Sequence, residues 1–218
     1  MKIKGIIFDF DGVILETVGV KNQSFYELFR HIPEHVDEIV DYHMANGGLS
    51  RFKKFDYIYR EILKEPLSPE KSKELGARFG QLCHDGVVNA EFVPGAKEFL
   101  EYYYTKSLLF IASATPHEEL MGIVKKRNLE KYFTGIYGSP QSKASIAGSI
   151  LKKHGLNPDE MFFVGDAIND YVGAKEVGVP FIGRVHTMFD NPFKDIKDGI
   201  YINDLYELDH LVRENNYV

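Results

Sequence analysis

Two pairs of acidic residues sit where their side chains can act together. Asp9-Phe10-Asp11-Gly12 directly follows the apolar run Ile3 to Phe8, and Asp166 and Asp170 close the segment Met161-Phe-Phe-Val-Gly-Asp-Ala-Ile-Asn-Asp. Carboxylates act as nucleophiles and as general acids or bases in phosphoryl transfer, so Asp9 reads as a nucleophile and Asp11 as an acid and base. The competing reading is local: Asp and Gly end a strand in a turn, Asp166 caps a helix and Asp170 is solvated. Four carboxylates at two strand ends repel one another unless a cation stands among them. Hard oxygen donors of this kind suit Mg²⁺.

A hydroxyl and a lysine accompany the acids. In Leu108-Leu-Phe-Ile-Ala-Ser113-Ala114-Thr-Pro116 the Ser113 hydroxyl and the backbone N–H groups after it, Ala114 first, open onto a helix led by Pro116. Such a helix start favours an anion; an ordinary N-cap or turn role for Ser113 is the alternative. Lys143, in Gly138-Ser-Pro-Gln-Ser-Lys143, offers positive charge to both a phosphate and the nucleophile. A lone loop lysine is otherwise merely solvated.

These residues need elements to hold them. Apolar, β-branched runs at 3–8, 108–112, 161–164, 180–182 and 200–202, with a weaker one at 135–137, read as buried strands. Helical patterns fill most of the gaps, as in 118–128 and 144–154. Strand-helix alternation predicts an α/β fold, a doubly wound, Rossmann-like parallel sheet with helices on both faces. From about Glu16 to Phe92 the rhythm changes to helical spacing alone (Phe25, Leu28, Phe29; Phe55, Ile58, Tyr59, Ile62), and Val93-Pro94-Gly95 restarts the alternation. The expected organisation is a core of residues 1–15 and 94–218 with an inserted α-helical cap domain at 16–93.

Composition narrows the function classes. In 218 residues, 44% are hydrophobic and 27% charged, values ordinary for a globular chain. A net charge of −6 argues against nucleic acid as a partner. The single cysteine, Cys83, excludes an intrachain disulfide framework and fits a reducing, cytoplasmic setting. The apolar stretch near the N-terminus is too short for a signal segment, and no membrane association is expected.

The order of acid pair, hydroxyl, lysine and acid pair resembles the haloacid dehalogenase-like hydrolase superfamily, whose four motifs match Asp9/Asp11, Ser113, Lys143 and Asp166/Asp170. The resemblance spans nearly the whole chain and points to the phosphoglycolate phosphatase and β-phosphoglucomutase-like members with a helical cap. It implies that Asp9 attacks phosphorus to form an aspartyl-phosphate, and that Asp11 protonates the leaving oxygen and then activates water. Ser113, Ala114 and Lys143 would bind phosphate. Mg²⁺ would be held by Asp9, the backbone carbonyl of Asp11, Asp166 and Asp170, the last through water. Members that cleave carbon-halogen bonds lack the acid at the Asp11 position, and phosphonate-cleaving relatives replace it with a small residue. The expected activity is therefore hydrolysis of a small phosphorylated metabolite.

Specificity is expected from the cap. Asn46-Gly-Gly-Leu-Ser-Arg51-Phe-Lys-Lys54 joins glycines to clustered positive charge and resembles the loop with which β-phosphoglucomutases grip a sugar phosphate. Arg51 reads as a distal substrate contact, or else as part of a solvated basic helix start. Those mutases carry a Glu-Asp pair where this chain has Gly165-Asp166, and a lysine where it has Thr115-Pro116. Both departures favour hydrolysis over mutase activity. A catalytically silent binding protein on the same fold is the remaining alternative, against which the complete acid set argues.

Overall fold

The computed structural model describes residues 2–197 and 199–215; residue 1 and residues 198 and 216–218, which belong to the expected core segments, lie outside it. Six strands form one parallel sheet in the order β3-β2-β1-β4-β5-β6: β1 (Gly5–Phe8), β2 (Leu108–Pro116), β3 (Gly135–Ser139), β4 (Met161–Gly165), β5 (Phe181–Arg184) and β6 (Ile200–Ile202). Every residue of β1 and β4 is buried, as expected for central strands covered on both faces. The chain builds outward from β1 to β3, then returns to the other side of β1 to lay down β4. This reversal places a crevice at the carboxyl ends of β1 and β4, where ligands bind in open α/β sheets. Asp9 and Asp166 are the first residues beyond these two strands.

Helices α5 (Ala96–Tyr103), α6 (His117–Lys126), α7 (Lys143–His154), α8 (Ile168–Glu176) and α9 (Leu205–Glu214) alternate with the strands. One expectation needs correcting. The sequence ended the second strand at Ala112 and began a helix at Pro116, but β2 continues through Pro116, its register with β3 shifting between Ala112 and Pro116. Ser113 therefore stands in an extended segment four residues before α6, not at the helix entrance. Tyr102 and Tyr103 belong to the last turn of α5; Tyr103 packs on Phe99 and donates to Asp209 Oδ1 at 2.8 Å.

Between Leu15 and Phe92 the described residues form only helices: α1 (Val18–Phe29), α2 (Val36–Ala45), α3 (Arg51–Tyr57), a π turn at Ile58–Ile62, and α4 (Pro69–Val88). Ser68 caps α4 by accepting from Lys71 N–H, with Pro69 in the first turn where its missing donor costs nothing. An aromatic cluster of Phe25, Phe29, Phe55 and Phe79 joins α1, α3 and α4. It is continuous with the apolar layer of Phe8, Val13, Ile14 and Leu15. The two chain crossings lie side by side: Leu15 bridges Phe92 antiparallel, Glu16 N–H donates to Glu91 C=O at 2.9 Å, and Val93 N–H to Ile14 C=O at 3.1 Å.

Candidate active site

The turn after β1 delivers both acids of the first pair. Asp9 Oδ1 accepts from Phe10 N–H at 2.7 Å and is ion-paired with Lys143 Nζ at 2.8 Å, with Asp9 itself only 3% exposed. Both contacts fall on Oδ1 and neither on Oδ2. Burial pushes the Asp9 carboxyl up to about 7 against the pull of Lys143, and the nearby Asp170 and Asp11 charges push the same way. Gly12 closes the turn at φ +75°, and a Cβ there would stand 2.1 Å from Asp166 Oδ2. Only glycine satisfies both demands. Arg184 fixes this turn from β5, donating to Gly12 C=O at 2.7 Å and gripping Glu16 through both terminal nitrogens.

Lys143 opens α7, whose N-cap Ser142 accepts from Ser145 N–H. Its ammonium bridges Asp9 and Asp170 Oδ1, the second at 2.5 Å. Burial alone would lower its pKa, but the two carboxylates more than reverse this and hold it charged. Asp170, fully buried on the first turn of α8, accepts from Ala167 N–H through Oδ2. Its Oδ1 touches Lys143 without the angle of a directed hydrogen bond, leaving lone-pair capacity unused. Oxygens of Asp9, Asp166 and Asp170 lie within 4.8 Å of one another. Burial also raises the Asp166 and Asp170 carboxyls, reinforced by Asp9 in the first case and by Asp166 in the second. Three crowded carboxylates offset by only one lysine present hard oxygen donors that fit a divalent cation.

Asp11 lives in a different environment. Its Oδ1 accepts from Thr17 Oγ1 at 2.8 Å; its Oδ2 meets Lys21 Nζ at 2.5 Å, Thr115 Oγ1 at 3.0 Å and Ser113 Oγ at 3.4 Å. Burial raises this carboxyl, but the Lys21 ammonium and the hydrogen bonds from Lys21, Thr17 and Thr115 outweigh burial and hold it below the usual range. Asp9 and Asp11, two residues apart, are thus driven in opposite directions, a pattern that separates roles in acid-base chemistry.

A cavity of about 720 Å³ opens over these groups, lined by Asp9, Asp11, Ala114 and Asp166 from the sheet side and by Lys21, His43, Arg51 and Lys54 from the helices. Arg51 is at the cavity, but its guanidinium is engaged: it donates to Glu119 at 2.9 and 2.7 Å and to Gly76 C=O at 3.0 Å, and lies over the Phe79 ring. It is 6% exposed, so the solvated basic helix start is excluded. The solvated alternatives for Lys143 and Asp170 fall in the same way, at 7% and 0% exposure.

Sequence reasoning missed Lys21, Thr17, Thr115 and His186. His186 sits two residues beyond β5 and bonds through Nε2 to Asp166 Oδ2 at 2.8 Å. Arg184, which can only donate, lies 3.1 Å from His186 Nδ1, so Nδ1 accepts and the proton resides on Nε2, directed at Asp166. The available signal was its place at a strand's carboxyl end. Lys21 had none: it reaches Asp11 because α1 packs where it does.

The sequence profile of the haloacid dehalogenase-like hydrolase family matches residues 6–184, and the chain belongs to that family. Over 200 residues it is 26% identical to a phosphoglycolate phosphatase of Vibrio vulnificus, covering 85% of each chain. It is 24% identical over 201 residues to a phosphorylated carbohydrates phosphatase of Thermotoga maritima, covering 86% of this chain and 88% of that one. The fold matches a β-phosphoglucomutase from Clostridium difficile with a TM-score of 0.76 at 16% identity, over 99% of this chain and 97% of the other. Among the described residues no helix is long and apolar enough to cross a membrane.

Proposed function

We propose that the chain is a Mg²⁺-dependent phosphatase that hydrolyses small phosphate monoesters through an aspartyl-phosphate on Asp9. The observation that carries this reading is the contrast at the first acid pair: Asp9 is held on one oxygen beside Lys143, while Asp11, two residues on, is embedded in hydroxyls and an ammonium. Asp9 attacks phosphorus, the P–O bond to the alcohol breaks, and Asp11 supplies a proton to the leaving oxygen. Water deprotonated by Asp11 then cleaves the acyl phosphate, restoring Asp9 and releasing phosphate. The resting site holds Asp11 ionised, the form the second step uses. To act as the acid of the first step Asp11 must first take up a proton from solvent, which requires that Lys21 shift its contact when substrate enters.

Asp9, Asp166 and Asp170, with the Asp11 backbone carbonyl, are the groups that would hold Mg²⁺. Bound there, the ion would offset negative charge on the phosphoryl oxygens. Lys143 adds a fixed positive charge, Ser113 and Ala114 would bind the phosphate, and the helices 16–93 would act as a cap that excludes water. Gly165 supports hydrolysis over a mutase reaction, because a Cβ there would stand 2.3 Å from Asp170 Cβ and no glutamate fits. A small phosphorylated metabolite, a sugar phosphate or phosphoglycolate, is the substrate class, and the cytoplasm the setting. The test is release of p-nitrophenol from p-nitrophenyl phosphate: Mg²⁺-dependent turnover by the wild type, lost in Asp9→Asn, is expected, and retention of that turnover by the variant overturns the reading.

A further inference from the structure

Buried cations in this molecule come with carboxylates. Arg51 meets Glu119 at 2.7 Å, Lys143 meets Asp9 at 2.8 Å and Asp170 at 2.5 Å, and Arg184 meets Glu16 at 2.5 Å. Lys54 is the exception among the described residues. It is 4% exposed, yet its ammonium meets only the His43 ring Nδ1 at 3.1 Å and the His43 carbonyl at 3.0 Å, and lies 5.9 Å from the Phe25 ring centroid. His43 cannot supply charge. Its ring stacks on Phe25 at 4.0 Å, and burial, with Lys54 and Lys21 nearby, drives its pKa far down, so it stays neutral. Burial, then Lys21, brings Lys54 itself down to about 7.

An ammonium withdrawn from water without a counter-ion is costly, and this one lines the same cavity as Asp9 and Asp11. Arg51, the residue that the sequence marked for a distal contact, already has its anion in Glu119. No carboxylate among the described residues supplies the missing negative charge, and an anion entering the cavity would. We propose that Lys54 receives a second anionic group on the substrate, so that the enzyme selects small phosphate monoesters whose far end carries a carboxylate or a further phosphate over esters ending in a neutral hydroxyl. The inference rests on the phosphatase reading and names the substrate class of that site.

Two matched pairs test it: 2-phosphoglycolate against 2-hydroxyethyl phosphate, and fructose 1,6-bisphosphate against fructose 6-phosphate. A charged hydrogen bond lost from a buried site separates the members of the favoured pair by about tenfold or more in kcat/KM. The pair that shows the separation tells carboxylate from phosphate. In Lys54→Met the ratio falls toward one, mainly through a higher KM for the two-anion substrate. If that variant does not fold, Lys54→Gln is read in the same way. Wild-type ratios near one in both pairs, or an unchanged ratio in the variant, overturn the assignment. Should the wild type hydrolyse neither these esters nor p-nitrophenyl phosphate, the phosphatase reading falls instead. Calorimetric Kd values for the same pairs, with and without Lys54→Met, then decide the Lys54 assignment by the same ratios.

Discussion

The sheet edge and the helices that line the same cavity are charged in opposite senses. At the sheet edge three carboxylates crowd together, Asp9 and Asp170 buried and Asp166 partly so, and one ammonium, Lys143, pairs with the first two. On the helices Lys21 and Lys54 approach each other closely enough to depress Lys54, and His43 beside Lys54 stays neutral. One side has negative charge in excess and the other positive. A cation on one side and an anionic ester across both would relieve the two together, which is what a metal-assisted phosphatase requires of its ligands.

Asp9→Asn tests the sheet side most severely: turnover of p-nitrophenyl phosphate should fall about 10⁴-fold or more, because in the proposed mechanism Asp9 carries the covalent intermediate. Asp11→Asn keeps size and removes the proposed proton carrier, for an expected loss of about 10²–10⁴-fold in kcat. Metal affinity answers a different question. His186→Ala frees Asp166 to rotate and should weaken Mg²⁺ binding about 10–100-fold by calorimetry, with unchanged circular dichroism. Equal metal affinity in that variant would mean the carboxylates alone define the site.

The smallest effect belongs to the helical side and has the opposite sign. Burial brings the Lys54 ammonium down to about 7 from the ordinary 10.5, so between these values the unfolded chain binds more protons and stability rises with pH. Below pH 7 the cost of the buried charge is fully present. Lys54→Met should therefore raise Tm at pH 6 by about 2–8 °C, and the advantage should shrink as pH approaches 10. A variant less stable at pH 6 would show that the His43 hydrogen bonds outweigh the charge.

The difference between the two sides also explains what the chain made legible. Asp9, Asp11, Asp166, Ser113 and Lys143 follow apolar runs by a few residues, and the parallel sheet brings such strand ends to one edge whatever the details of packing. Lys21, His43 and Lys54 follow no such rule. They lie on α1, α2 and α3, and their meeting depends on how Phe25, Phe55 and Phe79 fit together, which helical spacing does not reveal. Arg51 shows the limit most plainly: its type and loop suggested a ligand contact, but Glu119, 68 residues away on α6, takes up its fork. The extension of β2 past Ala112 was hidden for another reason, since Ser-Ala-Thr-Pro reads locally as a helix entrance.

The paired crossings at Leu15 and Phe92 make the helical insert exchangeable in principle. Neighbouring strands lie about 5 Å apart, a gap that a two-residue turn closes. The intervening segment can thus be shortened, lengthened or replaced by a foreign one without rethreading any of the six strands. The condition is set by packing rather than by topology: whatever is grafted there must still cover Val13, Ile14 and Leu15, which are 0% exposed beneath the present helices.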